Sequence, residues 1–149
     1  PYQRELQTAA RQLEITLLPQ AVSSPEDVPA ALARMATQAP DALYVAPDGA
    51  TEVRAGEIAA FALRQRLPSL GLSHSLVANG CLLYYGADVR EVLARTASFV
   101  DRILRGADPA TLPVEQPSRF TLTVNARTAR AIGHTLPAEL LLRADEVIE

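Results

Sequence analysis

The spacing of apolar residues along the chain predicts helices that alternate with short strands. Apolar residues three and four positions apart are typical of a helix with one buried face, whereas short apolar or alternating runs are typical of strands. The predicted helices cover residues 3–13, 24–39, 52–66, 88–106, 126–132 and 138–142. The predicted strands cover residues 14–18, 41–46, 69–72, 81–85 and 119–125. Residues 73–80 are rich in serine, histidine, asparagine and glycine, which predicts a polar loop.

The clearest of these elements is the helix at residues 88–106, for which we expect one apolar stripe to be buried. Asp88 is placed to cap its first amides, and Glu91, three residues later, is placed to complete a capping box. Gly106 fits the left-handed position that ends many helices. The stripe consists of Val89, Val92, Leu93, Thr96, Ala97, Val100, Ile103 and Leu104.

Three prolines follow this helix and predict an extended strap over residues 107–118. Pro109, Pro113 and Pro117 cannot continue a helix or occupy a central strand. Residues 119–125 then alternate between apolar and polar side chains, which predicts a strand with one buried face.

Alternating strands and helices predict an α/β fold, with a mostly parallel sheet of four or five strands flanked by helices. In sheets of this kind, small ligands bind beyond the carboxyl ends of the strands. That rule selects three loops as the candidate binding region: residues 47–51, 73–79 and 85–88.

Five side chains in or beside these loops are candidate ligand contacts. Asp48 could accept hydrogen bonds from an ammonium or hydroxyl group, although an aspartate between proline and glycine also suits a simple turn. Thr51 lies in the same loop. Ser73 and His74 could line a cleft or belong to a solvated loop. Tyr85 could stack on a ligand ring and offer its hydroxyl, or it could be a core tyrosine.

Composition excludes several function classes. The net charge of −3 argues against a nucleic-acid-binding surface. The chain has no lysine among its 14 cationic residues, which argues against a phosphoacceptor receiver domain, since receivers use a strand-end lysine. We find no glycine-rich phosphate loop, no nucleophile elbow and no metal-ligand spacing around the lone Cys81 or around His134. We therefore expect no cofactor, no bound metal and no catalytic activity.

The chain resembles part of a known family of proteins. The matching segments are SFVDRILRGADP at 98–109, LPVEQP at 112–117, TARAIG at 128–133, LP at 136–137 and LLRADEVI at 141–148. They look like the second half of an ABC-transporter substrate-binding protein of the subfamily that includes tryptophan- and tyrosine-type components. The resemblance covers nearly the whole chain and includes a Tyr-Gly pair, here Tyr85 and Gly86.

The resemblance implies a fold, a role and a location. The fold is one Rossmann-like lobe of a type I periplasmic binding protein. Residues 1–149 would be the C-terminal lobe, with 107–118 as an inter-lobe strap and 119–149 as a final strand with short helices. The role is non-catalytic capture of a small, amino-acid-like molecule in an inter-lobe cleft, for delivery to an ABC permease. The location is periplasmic or extracytoplasmic, after removal of a signal peptide or with a lipid anchor.

Three further expectations concern the role of the chain, its extent and its association. A ligand-sensing lobe of a signalling protein is an alternative to transport, and sequence flanking the chain would distinguish the two. Because the chain begins with proline, we expect a processed product or a fragment, one that also starts a strand later than the family does. The stripe of the helix at 88–106 would then lack its partner, so we expect self-association, including exchange of this helix between copies.

Overall fold

A computed structural model describes residues 2–149, and within that range the elements largely follow the predicted order. The helices are α1 (Tyr2–Gln12), α2 (Val28–Gln38), α3 (Gly49–Val53), α4 (Ala55–Arg64), α5 (His74–Ala78), α6 (Val89–Leu104), α7 (Ala126–Ile132) and α8 (Ala138–Arg143). The strands are β1 (Leu43–Val45), β2 (Ser69–Gly71), β3 (Leu83–Ala87), β4 (Phe120–Asn125) and β5 (Glu146–Ile148).

The strands form one five-stranded sheet in the order β1-β2-β3-β4-β5. Strands β1, β2 and β3 are parallel, β4 is antiparallel to β3, and β5 is parallel to β4. The register places Gly71 beside Tyr84, Tyr84 beside Thr123, and Thr123 beside Glu146. The predicted α/β class with a mostly parallel sheet of four or five strands is confirmed.

The main core lies on the sheet face that carries Leu43 and Val45. Helices α2, α4 and α5 cover this face, and Leu76 of α5 is completely buried. Gly71 permits this packing, because a Cβ at its position would lie 2.7 Å from the Cβ and Cδ1 atoms of Leu76. A smaller cluster around Leu82 packs against α7.

The run at residues 14–18 is not a strand, contrary to the sequence prediction. Ile15 and Leu18 are exposed, and the segment pairs with no strand in the described part of the chain. Strand β1, and not this segment, is an edge strand of the sheet. An apolar run becomes a strand only where a neighbouring backbone satisfies its N–H and C=O groups.

The segment predicted as a polar loop contains helix α5. Its polar residues led to the wrong prediction, whereas Leu76 and Val77 are both completely buried and decide the local structure. Ser73 occupies the position before the first helical residue. The strand predicted at 81–85 begins later, because the Cys81 amide bonds to the Leu76 carbonyl.

One predicted helix is split in the structure, and one strand was not predicted. The helix predicted over 52–66 is split into α3 and α4 at Arg54, whose backbone leaves helical geometry and whose Nε donates to the Pro25 carbonyl over 3.2 Å. Strand β5 was not predicted because three residues carry too little pattern, and its pairing with β4 supports it. Helices α1, α2, α7 and α8 and strands β1, β2 and β4 confirm their predictions within a few residues.

The stripe of α6 is exposed, contrary to the expectation that it is buried. The helix has no buried residue, and Val89, Leu93 and Leu104 are 56%, 63% and 81% exposed. Both predicted ends are confirmed, since Asp88 accepts from the first amides and Gly106 has a φ of +98°. The capping box is wrong, because the Asp88 amide donates to the Arg119 carbonyl and not to Glu91.

Candidate functional site

The carboxyl ends of β1, β2 and β3 lie side by side and bring the three predicted loops to one edge of the sheet. Val45 pairs with Gly71, and Gly71 pairs with Tyr84, so β1 and β2 end at the same level, while β3 continues beyond it to Ala87. Parallel pairing therefore explains why residues far apart in sequence become neighbours at this edge. We call this margin the carboxyl edge.

At the end of β1, Asp48 and Thr51 hold the turn that starts α3. Asp48 Oδ1 accepts a hydrogen bond from the Ala50 amide at 2.8 Å, as an N-cap residue does. The Thr51 hydroxyl lies 3.1 Å from the Ala46 carbonyl oxygen and 2.9 Å from that of Asp48, and it donates to them. Asp48 thus has a structural role, while its exposed carboxylate still faces solvent at the edge.

A hydrogen-bonded chain joins the loops that follow β1 and β2. The Ser73 and Ser75 hydroxyl oxygens are 3.0 Å apart, and Ser75 Oγ donates to Glu52 Oε2 in a short contact. Sequence reasoning missed Glu52 as a member of this edge. Its position in the first turn of the helix after Asp48 is the signal that could have found it, because that turn points toward the strand ends.

His74 contacts residues of two strands of the sheet, β3 and β5. Its Nε2 lies 3.7 Å from Glu146 Oε2, and its ring meets the Tyr84 ring edge-on with centroids 5.9 Å apart. Glu146 Oε2 also accepts from Thr123 Oγ1 at 3.3 Å. Sequence reasoning missed Glu146, because only the pairing of β5 with β4 brings it near.

The two neighbouring tyrosines face opposite sides of the sheet, as alternation along a strand requires. Tyr84 is buried beneath α5, and its hydroxyl donates to the Ala87 carbonyl at 3.1 Å. Burial, and then the charge of Asp88, raise the pKa of Tyr84. Tyr85 is 50% exposed and stacks on Phe120 with centroids 5.7 Å apart. The structure therefore places Asp48, Thr51, Ser73 and His74 in two loops of the carboxyl edge that the Ser75–Glu52 hydrogen bond joins, and it turns Tyr85 to the other face of the sheet.

Two hollows lie at the opposite edge of the sheet, not at the carboxyl edge. One, of about 240 Å³, is lined by Asn79, Gly80 and Arg127 among others. The other, of about 150 Å³, lies between α2 and α4 near Pro40 and Leu67. At the carboxyl edge, Asp48, Glu52 and His74 are exposed, as side chains in one wall of an open cleft are.

The part of the chain that the structure describes has neither a metal-ligand cluster nor a helix suited to span a membrane. Residues 2–149 hold no group of three or more histidine, cysteine, aspartate or glutamate side chains placed to bind a metal ion. Cys81 is free and buried, and burial raises the pKa of its thiol. Over the same range, no helix combines the length and the apolarity needed to cross a membrane.

Solved structures with the same arrangement of elements are about twice as long as this chain. A conserved domain protein from Vibrio cholerae is 25% identical, with a TM-score of 0.91 over 98% of this chain and 49% of its own. An ABC domain from Streptococcus pneumonia, solved in complex with L-Trp, is 23% identical, with a TM-score of 0.90 over 97% and 49%. A ligand-free, open substrate binding protein from Clostridium difficile, with adhesive properties, is 17% identical, with a TM-score of 0.69 over 97% and 48%.

The chain spans about half the length of each of these structures. Its fold therefore corresponds to a single lobe of such a protein. No curated protein sequence matches the chain significantly. The model of the ABC transporter substrate binding protein family matches residues 1–148, almost the entire sequence. The chain therefore belongs to the family of ABC transporter substrate binding proteins.

Proposed function

We propose that the carboxyl edge is one wall of a ligand-binding cleft in the solute-binding component of an ABC import system. The observation that carries this proposal is the hydrogen bond from Ser75 to Glu52, which joins the polar loops after β1 and β2 at the ends of parallel strands in a member of this family. Exposed hydrogen-bonding groups at one edge of a sheet need a facing wall to enclose a small molecule. A second lobe of the longer protein would supply that wall.

The ligand class we favour is amino-acid-like. Asp48 and Glu52 are exposed or partly exposed carboxylates that could accept from a ligand ammonium group. The neighbouring hydroxyl groups could hold a second polar group of the same ligand. The L-Trp complex of the structurally similar Streptococcus pneumonia domain supports this choice of class.

The proposed role is capture and delivery, without catalysis. The edge pairs acids with hydroxyl groups but offers no nucleophile held by a base and a third orienting group among the described residues. Delivery implies an ABC permease as partner and a site outside the cytoplasm. Closure of two lobes over the ligand is the expected way to exclude water from it.

A thermal-shift titration tests this function. The longer polypeptide that carries this chain with its facing lobe would be titrated, in verified ligand-free form, with L-Trp, L-Tyr, L-Leu and a sugar control. A ligand at 100 times its dissociation constant stabilises the native state by about 2.7 kcal/mol, which raises the melting temperature. A rise with an amino acid and none with the sugar supports the proposal. No rise with any amino acid overturns the proposed ligand class.

We also propose that copies of this 149-residue chain associate through α6. Its exposed stripe includes Val89, Leu93 and Leu104, and contiguous apolar surface of this kind usually finds a partner. Packing of two α6 helices, side by side or exchanged between copies, would cover it. Light scattering at micromolar concentration should give a dimeric mass that Leu93→Gln reduces and Leu142→Gln, at an exposed site on α8, does not. A monomeric mass for the unmodified chain would contradict the proposal.

A further inference from the structure

The larger hollow, of about 240 Å³, lies where α4, α5 and α7 meet, at the edge of the sheet opposite the carboxyl edge. We call it the basal hollow. Each of the three helices contributes one apolar residue to its lining, namely Leu63, Ala78 and Ala131. Pockets that enclose drug-sized ligands have volumes of about 300 Å³ and above, so the basal hollow suits a smaller group.

Arg127 is the charged residue in the lining of the basal hollow. Its side chain is exposed and has no hydrogen bond or ion pair with any other residue of the range 2–149. Arg95, by contrast, uses its guanidinium group on Glu91 and Glu115. A guanidinium group without a protein acceptor keeps its five N–H donors for an external oxyanion.

Hydrogen bonds between α5 and α7 fix the polar wall around Arg127. The Thr128 hydroxyl donates to the Gly80 carbonyl at 2.9 Å, and Thr128 is buried. Asn79 Nδ2 donates to the Ser75 carbonyl at 2.8 Å, which uses one of its two amide hydrogens. The hollow is therefore formed before any ligand arrives, and Asn79 has a second N–H donor to offer.

The segments around the basal hollow carry positive charge without acidic neighbours. Helix α4 packs against both α5 and α7, so residues 59–68, 76–82 and 126–137 lie together. These segments contain no aspartate or glutamate, although the whole chain has 17 acidic residues and a net charge of −3. Their arginines are Arg64, Arg66, Arg127 and Arg130.

All four of these arginine side chains lack a hydrogen-bond or ion-pair partner among the described residues. Five other arginines have such a partner, namely Arg34, Arg54, Arg95, Arg105 and Arg119. Like charges gathered at one surface raise the local positive potential and attract anions. The basal hollow is thus a formed cavity in a positive region of an acidic protein.

We propose that the basal hollow binds a phosphate group, carried by a soluble molecule or by a phospholipid headgroup, through the guanidinium group of Arg127. A planar guanidinium group matches a phosphate with two parallel hydrogen bonds, and Asn79 offers a further donor in the same lining. The occupant would not compete with a ligand at the carboxyl edge, because the two sites lie at opposite ends of the strands. This inference is independent of the function proposed for the carboxyl edge.

A titration of the 149-residue chain with inorganic phosphate, followed by ¹H–¹⁵N correlation spectra at constant ionic strength, tests the site. Phosphate should shift the amides of residues 78–80 and 126–131 along a saturable curve, whereas acetate and chloride should shift them little. Arg127→Gln should weaken phosphate binding by about tenfold or more, because a charged hydrogen-bond donor is lost.

Arg90→Gln is the matched control. It removes the same charge from an exposed arginine of α6 whose side chain has no partner among the described residues. Arg90 lies beyond the opposite end of β3, where salt screens its charge from the hollow, so the affinity should change by less than about twofold. Both variants change exposed side chains without partners, and the dispersion of the same spectra shows that each is folded.

Sedimentation with lipid vesicles distinguishes the two sources of the phosphate group. Binding to phosphatidylglycerol vesicles, and not to phosphatidylcholine vesicles, that Arg127→Gln weakens and Arg90→Gln preserves would assign the group to a headgroup. The expected phosphate titration without vesicle binding would assign it to a soluble molecule. No response to either probe, an equal response to acetate, or equal losses in the two variants would overturn the proposal.

Discussion

Gly71 and Leu76 approach so closely that a single methyl group at residue 71 would collide with the leucine side chain. A Cβ there would lie 2.7 Å from the Cβ and Cδ1 atoms of Leu76, which is completely buried. Gly71→Ala should therefore destabilise the fold by about 1–3 kcal/mol, the usual cost of overpacking a core. Urea unfolding monitored by circular dichroism measures this change.

Gly49→Ala provides the matched control for that substitution. No heavy atom outside its neighbourhood lies within 4 Å of a Cβ at Gly49, and its φ is not in the left-handed region. This variant should leave the free energy of unfolding unchanged or raise it by about 0.4–1 kcal/mol through the unfolded chain. Equal loss of stability in both variants would show that the Leu76 contact is not the cause.

The hydrogen bond between Ser75 and Glu52 should couple the loops after β1 and β2. A double-mutant cycle with Ser75→Ala and Glu52→Gln should give a coupling energy of about 1 kcal/mol, because this bond involves a charged acceptor. The same cycle with Glu57→Gln, at an exposed pair with Arg54, should be additive within about 0.5 kcal/mol. Additivity of the first pair would mean that the two loops are independent.

The sequence predicted the sheet well because its strands and helices carry strong local signals. The cap Asp88 follows from residue type at a helix start, and the structure shows it accepting hydrogen bonds from the amides of Arg90 and Glu91. The prediction was wrong where a distant neighbour decides the structure. Residues 14–18 have the composition of a strand but pair with no strand in the described part of the chain. Helix α5 is fixed by burial of its apolar residues and not by its polar ones.

The candidate site was predictable only in part for the same reason. The rule about strand ends located Asp48, Ser73 and His74 from order along the chain. Glu52 and Glu146 reach the edge through the start of a helix and the pairing of β5, and neither feature has a strong pattern. The contacts of Ser75 with Glu52 and of His74 with Glu146 join residues that are far apart in sequence.

Glu91 should make stability depend on pH between about 5 and about 2. Hydrogen bonds from Ser118 and then from Arg95 lower the pKa of Glu91 from 4.5 to about 2. A carboxylate with a lowered pKa in the folded state stabilises that state above the unfolded pKa. That stability is lost as the pH falls through the folded pKa. The folded protein should therefore lose stability over this window as the proton binds.

Thermal melting from pH 2 to pH 6 measures this dependence, with Glu91→Gln as the test variant. The substitution should flatten the curve over the window without abolishing its slope. The reason is that backbone amides of Ser23 and Ser24 also lower the pKa of Asp27. Asp27→Asn should remove a separate part of the slope. An unchanged curve for Glu91→Gln would show that Glu91 titrates normally in the folded protein.

Asp48→Asn separates the structural role of this residue from its proposed contact with a ligand. An asparagine caps a helix about as well as an aspartate, so the free energy of unfolding should change by less than about 0.5 kcal/mol. Removal of the negative charge should weaken binding of an amino-acid ligand by about tenfold or more, because a charge-assisted bond to its ammonium group is lost. Asp48→Ala should weaken binding similarly and also cost about 1 kcal/mol of stability. Titration calorimetry on the longer polypeptide, beside urea unfolding of each variant, measures both quantities. Unchanged affinity in Asp48→Asn would assign this aspartate to the turn alone and shift the ammonium contact to Glu52.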